Sequence, residues 1–394
     1  MHIVGIVAEY NPFHSGHAHH IAATRAAVGE DSAILCVMSG NWVQRGEAAI
    51  ADKWTRAGQA LRGGADLVVE LPTLWAASSA EAFARGAVDL LAAAGARTLS
   101  FGSEAGRVGE LAALAECLDG AAYRQALRQA LDQGRSFAAA RQQAAAACVG
   151  SGAELLAQAN NSLGVEYLRA LRRGGHSMDV VTVPRRGAGH HEAFARGGTR
   201  SASALRSLMR AGDWDEAQAY LPPGGAARLR AAGTYDLTRC ERGVLARLKT
   251  MEEADFLTLP DCGPELAARL AGAARQGRSL EEVYALAKTR RYAHARIRRL
   301  VLWSFLGLRA ADRPVRPPYV RVLGLNGRGR QMLRQMREAC PLPVLTKAAH
   351  VKRQAPEARR LFTLESRCTD LYGLCGDTII PGGREYTAGP VVEA

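Results

Sequence analysis

Residues 3–17 read Ile-Val-Gly-Ile-Val-Ala-Glu-Tyr-Asn-Pro-Phe-His-Ser-Gly-His. Residues 3–8 are short and wholly apolar, as a strand buried on both faces of a parallel sheet requires. Residues 17–28 (HAHHIAATRAAV) then take up a helical composition. A strand feeding a helix is the first half of a β-α-β unit, and the pattern repeats. Residues 33–38 read as a second strand, 48–62 as a helix, 65–70 as a third strand stopped by Pro72, 78–94 as a helix and 98–101 as a fourth strand. This alternation predicts an α/β fold with a Rossmann-like, doubly wound parallel sheet.

Further along, 106–158 is rich in Ala, Gln and Arg and lacks strand signals, so it reads as a helical insertion. The α/β pattern resumes with a helix near 160–173, a strand at 178–183, a Gly/His/Arg loop and a helix from about 201 to 210. Residues 213–311 read as helical. Pro314, Pro317 and Pro318 then mark a break, followed by a short strand at 319–323, further helices and a Gly-rich tail. Two domains are expected: 1–210, including the insertion, and a mostly α-helical unit over 211–394.

The 394 residues include 51 Lys+Arg against 38 Asp+Glu, a formal net charge of +13. The first 110 residues hold 8 basic and 11 acidic side chains, so the remainder carries +16. That asymmetry points to a polyanionic partner met mainly by the later chain. No apolar run reaches about 18 residues, which argues against a membrane span. The N-terminus has no basic leader or cleavage site. Eight scattered cysteines without a C-x-x-C suit reduced thiols, so a cytoplasmic protein is expected. Cys368 and Cys375 do not make a zinc motif, and no metal ligand set is assigned.

The segment from Val7 to His17 lies where the first strand ends and the first helix begins. Ligands of open α/β sheets bind at such carboxyl ends, and a helix start offers N–H groups and a positive dipole end to an anion. Gly16 lets a phosphate approach the backbone. His14 and His17 place two imidazoles on one turn, each able to donate to a phosphoryl oxygen. The competing readings are a surface helix start rich in histidine, since His19 and His20 follow, and a metal site.

H-x-G-H after a first strand resembles the signature of the nucleotidyltransferase superfamily with a Rossmann-like fold. The longer string from Gly5 to His17 resembles one branch more closely, the bacterial tRNA(Met) cytidine acetate ligases. Further blocks resemble that branch in order: MSGNWVQRGE (38–47), DKW (52–54), ADLVVELP (65–72), FGSE (101–104), NNSLGVEY (160–167) and SASALR (201–206), with YAHARIRR (292–299) in the later chain. The resemblance implies an enzyme that adenylates acetate with ATP and passes the acetyl group to N4 of the wobble cytidine, C34, of elongator tRNA(Met). AMP and pyrophosphate leave, and no acetyl-CoA is needed. It implies ATP contacts at Val7, Ala8, Glu9, Tyr10, Asn11, Pro12, Phe13, His14, Ser15, Gly16, His17, Ala18, His19 and His20, at Gly102, at Asn160 and Asn161, and at Arg185 and Arg186. Mg2+ is the expected companion of the nucleotide. His14 and His17 take the catalytic role, stabilising charge that grows on the phosphoryl group.

The other blocks can be read physically. Gly102 lets an adenine or ribose lie against bare backbone, with Ser103 and Glu104 beside it. One of Asn160 and Asn161 can cap its helix, leaving the other for a ligand. Arg185 and Arg186 follow a strand end, and guanidinium forks suit phosphate. Gly40 and Asn41 are candidates to border an acetate pocket; Ser201, Ser203 and Arg206 are candidates to hold the leaving group. Glu9 is either a magnesium carrier or a cap of the loop. Asp52-Lys53 reads most simply as a solvated helix face. Residues 288–309 hold seven basic side chains and no acid, with apolar residues at helical spacing. Arg291, Tyr292, Arg296, Arg298 and Arg299 are accordingly the tRNA-binding candidates. A second basic stretch runs from Arg321 to Arg353. The alternatives to the ligase are a small-molecule adenylyltransferase and a non-catalytic, nucleotide-sensing RNA-binding protein.

Overall fold

The computed structural model describes residues 1–184 and 200–393. Its strands are β1 (Ile3–Ala8), β2 (Ala33–Ser39), β3 (Trp42–Val43), β4 (Glu47–Ala48), β5 (Leu67–Leu71), β6 (Thr98–Ser103), β7 (Asp179–Pro184), β8 (Val320–Leu325), β9 (Val344–Leu345) and β10 (Val391–Val392). The main sheet runs β10-β8-β5-β2-β1-β6-β7, with β9 also on β8. From β5 to β7 every pairing is parallel. The chain winds from β1 outward to β2 and β5, then crosses back to β6 and β7. The strand order therefore reverses between β1 and β6, and the crevice at their carboxyl ends is the topological switch point.

The helices of this half are α1 (Ser15–Val28), α2 (Lys53–Arg62), α3 (Thr73–Ala76), α4 (Ala80–Ala93), α5 (Val108–Asp119), α6 (Ala121–Asp132), α7 (Phe137–Val149), α8 (Ala159–Gly174) and α9 (Ala202–Ala211). The helical insertion is thus α5 to α7 and the 3-10 stretch Gly150–Ala157. The apolar strands are covered on both faces. Val4, Ile6, Ile34, Cys36 and Val68 pack beneath α1 and α2 with Phe13, Trp54 and Leu61. Leu35, Val37, Leu67, Val69 and Leu99 face the other way, toward Phe83, Leu90 and Leu91, in a core that continues to Trp303 and Phe362. Gly5 sits where a Cβ would lie 2.6 Å from a Leu91 methyl carbon.

Two features differ from the sequence reading. The helix expected from residue 48 starts at Lys53, because 42–48 fold into an antiparallel hairpin, β3 pairing with β4 through Trp42–Ala48 and Val43–Glu47. Asp52 caps α2 by accepting from the Thr55 amide at 2.9 Å. The strand expected at 319–323 is β8, and it joins the first sheet, antiparallel to β5. The chain beyond 210 is largely helical up to that strand, then returns to complete the sheet.

The join is charged. Lys53 is fully buried, so the solvated helix face read for Asp52-Lys53 is not what forms. Its ammonium lies 2.6 Å from Glu70 on β5 and 2.7 Å from Glu385 near the C-terminus. Arg321, placed by its sequence in a basic stretch, is buried beside Glu385 and over the Phe362 ring. Glu365, on the helix Pro356–Tyr372, accepts from the Thr73 amide and from the Thr73 hydroxyl, both at 2.7 Å. Burial pushes the Glu365 carboxyl up to about 8, and Glu70 adds to the rise. Burial also raises Glu385, but Lys53, and behind it Arg321, outweigh this and hold Glu385 below its usual range. Two cations thus face three carboxyls, and one retained proton, on Glu365, balances the cluster.

Removing the cation strands two buried carboxylates, a loss of about 3–5 kcal/mol. Lys53→Met is expected to lower the urea midpoint accordingly, and an unchanged midpoint would show that the cluster is solvated. Glu365 keeps its proton on folding at pH values where the unfolded chain releases it. Its contribution to stability therefore falls as pH rises from about 4.5 to about 8. Glu365→Gln should remove that slope, up to about 1.4 kcal/mol per pH unit, in unfolding curves measured at pH 5, 6.5 and 8.

Candidate active site

The turn after β1 is shaped from within. Tyr10 takes a positive φ of 47° and the Asn11–Pro12 peptide is cis. Tyr10 and Phe13 point into the core, their rings 4.8 Å apart, and the Tyr10 hydroxyl meets the Cys36 sulfur at 3.3 Å. Asn11 is buried, its side-chain oxygen accepting from the Ile50 amide at 2.7 Å and its carbonyl accepting from Arg206 at 2.8 Å. Of the implied ATP segment, Tyr10 to Phe13 serve as scaffold. His14, Gly16, His17, Ala18 and His20 follow at the head of α1, and Ser15 and His19 are exposed.

His14 is the N-cap of α1. Its Nδ1 accepts from the Gly16 amide at 3.1 Å, and His17 Nδ1 accepts from the His14 amide at 3.2 Å. This is a capping box built from imidazoles. With both Nδ1 atoms accepting, the neutral rings carry their protons on Nε2. The rings stack 3.8 Å apart, so the two Nε2–H groups act as a pair. The sequence reading expected helix-start amides for the anion. Instead the Ser15 amide donates to the Tyr220 carbonyl, Gly16 to His14, and His17 and Ala18 to the His14 carbonyl. These amides are therefore committed within the protein, and the imidazoles are the polar side chains that mark this turn.

Arg56 gathers the strand ends. It is fully buried and donates to the Glu9 carbonyl at 2.5 Å, to Ser39 at 3.1 Å, to Gly40 and to Ala51 at 2.9 Å. Glu9 accepts from the Gln44 amide at 2.7 Å, so its carboxylate anchors the hairpin. Burial raises the Glu9 carboxyl, with the Gln44 bond and then Arg206, Arg45 and Arg56 opposing. Gly40 and Asn41 lie inside. A Cβ on Gly40 would collide with the Glu70 carboxylate. Asn41 accepts from the Lys53 amide at 2.9 Å and donates to the Thr369 hydroxyl at 3.3 Å. These two residues brace the strand end rather than line the turn.

At the end of β6, Gly102 is partly exposed and pairs with Val183 of β7. Neither Asn160 nor Asn161 is the N-cap of α8; that position is Gln158. Glu104 does the capping, accepting from the Asn160 amide at 3.3 Å and side chain at 2.6 Å and from the Asn161 amide at 2.9 Å. Asn161 is fully buried and accepts from the Glu104 and Ala105 amides at 2.9 and 3.1 Å. It fixes the loop after Gly102, while Asn160 remains partly exposed beside it. Arg185 and Arg186 lie outside the described residues. Ser201 caps α9, accepting from the Ala204 amide at 3.3 Å, with the Ser203 hydroxyl 3.0 Å away. Both serines are exposed, and Arg206 reaches from the same helix to the Asn11 carbonyl.

The basic helix spans His294–Leu306. Its face is not a free cationic stripe. Arg298 pairs with Glu47, Arg299 donates to the Gln44 carbonyl at 3.2 Å, and Arg296 donates to the Asp261 carbonyl. Burial pulls the Arg299 guanidinium down to about 10. Tyr292 is largely covered, with Arg291 and Arg296 over its ring at 5.9 and 5.4 Å. Arg291 is exposed and pairs with Glu265 at 2.7 Å. Gly46, at φ +76°, lets the hairpin tip touch this helix; a Cβ there would lie 2.6 Å from the Arg298 backbone. Gln44, Glu47 and Arg56 escaped the sequence reading as site-builders. Their partners lie on other elements, and the quoted block 38–47 was the one available signal. From the second stretch, Arg328 donates to the Glu30 and Ser32 carbonyls at the amino end of β2, away from the turn.

Among the described residues no three His, Cys, Asp or Glu side chains cluster as a metal site, and no helix is long and apolar enough to cross a membrane. Residues 1–382 match the family described as HIGH Nucleotidyl Transferase. A Syntrophotalea carbinolica protein named tRNA(Met) cytidine acetate ligase is 39% identical, covering 97% of this chain and 95% of its own. A Thermoanaerobacter protein of the same name is 34% identical over 95% of both. The crystal structure of Thermotoga maritima TmcAL bound with alpha-thio ATP superposes with a TM-score of 0.91 at 30% identity, over 100% of this chain and 99% of that one. Its apo form gives 0.93. The switch-point turn, the imidazole pair and these full-length similarities agree, and the chain belongs to the HIGH nucleotidyl transferase family and, within it, to the tRNA(Met) cytidine acetate ligases.

Proposed function

We propose that this chain activates acetate with ATP and acetylates N4 of C34 in elongator tRNA(Met), in the cytoplasm and without acetyl-CoA. The acetate carboxylate attacks the α-phosphorus and pyrophosphate leaves in line, giving acetyl-adenylate. The cytidine amine then attacks the acetyl carbonyl, and AMP departs as the amine loses a proton. The observation that carries this reading is the pair of stacked imidazoles at the switch point, both Nδ1 atoms engaged and both Nε2–H groups therefore donors. Donors preset for growing phosphoryl charge need no reorganisation during reaction. The Thermotoga neighbour, bound with alpha-thio ATP, supports ATP as the nucleotide.

Gly102 and the loop held by Asn161 form a bare backbone edge across the crevice, suited to the nucleoside. Arg206 supplies buried positive charge next to the turn; burial lowers its pKa, and Glu47 and then Glu9 oppose. Ser201 and Ser203 at the start of α9, and Arg185 and Arg186 after β7, are proposed for the phosphates. Mg2+ would neutralise charge on the triphosphate. Glu9 fits a magnesium role poorly, since one of its oxygens is committed to the hairpin. The RNA is proposed to approach over the helix His294–Leu306 and exposed Arg291, because that basic surface abuts the hairpin beside the turn. The acetylated nucleoside must come from RNA held there, whereas a small-molecule adenylyltransferase has no use for such a surface.

Labelled acetate, ATP and tRNA(Met) should yield N4-acetylcytidine at position 34 and stoichiometric AMP. Acetylation supported by acetyl-CoA alone, or no effect of acetate on AMP release, would refute the reading. Binding of the tRNA should weaken steeply with salt. His17→Ala is expected to cut acetate-dependent AMP formation about 100- to 1000-fold while tRNA affinity holds. For His14 the two roles separate: His14→Ala loses the cap, about 1 kcal/mol, as well as activity. His14→Asn should restore the cap and thermal midpoint but not turnover. Activity recovered by asparagine would make His14 purely structural.

A further inference from the structure

The chain carries eight free thiols; Cys117 neighbours Cys148, and Cys240 neighbours Cys375 across the join of distant segments. Cys240 ends the 3-10 turn Leu237–Cys240, and Cys375 ends the 3-10 turn Gly373–Cys375. Their sulfurs are 3.4 Å apart although 135 residues separate them. The backbones that carry them are fastened together. Tyr235 and Gly376 form an antiparallel bridge, the Asp236 amide donates to the Cys375 carbonyl at 2.8 Å, and Arg239 donates to the same carbonyl at 3.3 Å. The Tyr235 and Tyr372 rings stack 4.2 Å apart alongside. A disulfide needs about 2.05 Å between sulfurs, so closure asks the two sulfurs to approach by little more than an ångström.

The two thiols are not equivalent. Cys375 is fully buried, whereas Cys240 is partly exposed. The hydrogen bond between them pulls the Cys240 thiol down, against its own burial, and pushes Cys375 up together with its burial. The accessible sulfur is thus the better nucleophile and the covered one its resolving partner.

We propose that Cys240 and Cys375 are an oxidisable dithiol, closed to a disulfide by a hydroperoxide that reacts first at Cys240. The Cys240 thiolate attacks the terminal peroxide oxygen. The S–O bond forms, the O–O bond breaks, and the departing alkoxide or hydroxide takes a proton. Cys375 then attacks the sulfenic sulfur, the S–S bond forms, and the hydroxyl leaves as water with the Cys375 proton. Two thiols lose two electrons in all, and the hydroperoxide becomes an alcohol, or water, plus one further water. The bond would staple the start of the helical region to the C-terminal segment. It would do so beside Tyr235, whose amide donates to the Ile50 carbonyl at 3.0 Å, while the Ile50 amide braces Asn11 in the turn.

The test uses the reduced full chain, treated with equimolar hydrogen peroxide under native conditions, then alkylated in denaturant and peptide-mapped. The expected product is one cross-linked peptide pair joining Cys240 to Cys375, two hydrogens lighter than its parts and reopened by dithiothreitol. The thermal midpoint should rise by several degrees with it. In Cys375→Ala, Cys240 should accumulate as a sulfenic acid captured by dimedone; in Cys240→Ala, Cys375 should stay reduced. Dimedone capture from the wild type in the first seconds reads the same intermediate if Cys375→Ala does not fold. Both cysteines recovered alkylated while exposed Cys148 is oxidised, a cross-link of Cys240 or Cys375 to any other cysteine, or Cys240 driven to sulfinic acid with no cross-link would each overturn the proposal.

Discussion

One guanidinium organises the carboxyl end of the sheet. Arg56, shut away from water, turns its donors onto carbonyls at the ends of β1 and β2 and onto Ala51, two residues ahead of α2. Carbonyl ends of adjacent parallel strands leave unpaired acceptors, and buried acceptors left alone cost about 1–3 kcal/mol each. A planar fork with five donors meets that need where an ammonium cannot. With the two strand ends drawn together, Glu9 can hold the hairpin by its carboxylate and Asn11 can take both the Ile50 amide and the Arg206 guanidinium. The imidazole pair stands on that foundation.

The hairpin β3–β4 is the mechanical centre of the site. On one side it is pinned to Glu9, the residue that follows β1, and on the other to the basic helix through Glu47, the Gln44 carbonyl and the contact at Gly46. The turn proposed for ATP and the helix proposed for RNA are therefore joined by a few side chains rather than by a flexible linker. This suits a reaction in which an activated acyl group made at one place must meet a weak amine nucleophile presented from another.

Much of this was legible in residues 3–17 and in the alternation after them. The strands β1, β2, β5, β6 and β7 were readable because parallel strands covered on both faces are continuous apolar runs. The insertion was readable because nothing in it favours a strand. The hairpin was not, since two-residue strands have no period and its Trp and Val look like any apolar pair. Arg321 and Lys53 were read as surface because charge is normally solvated; their partners Glu385 and Glu70 come from distant positions that one sequence cannot pair. Asn160 and Asn161 invited a capping assignment from propensity, yet the Glu104 carboxylate, arriving from β6, took the role. The H-x-G-H turn does fall at the head of α1 where the sequence put it, but the fate of the α1 amides depended on the His14 side chain and on Tyr220, a partner some 200 residues away.

The antiparallel union of β5 with β8 has a bearing on how the polypeptide is made. During synthesis β5 emerges early, with β2 on one side and nothing on the other, until residues 320–325 follow. At bacterial elongation speeds of about 5–20 residues per second that interval is roughly ten to fifty seconds. Through it the nascent molecule exposes an apolar strand margin and the Lys53–Glu70 pair, whose neighbours Arg321 and Glu385 have yet to emerge. The sheet is thus completed only once β8 has emerged, and a ribosome stalled before that strand would leave behind a sticky, open-edged fragment for proteases and chaperones to clear.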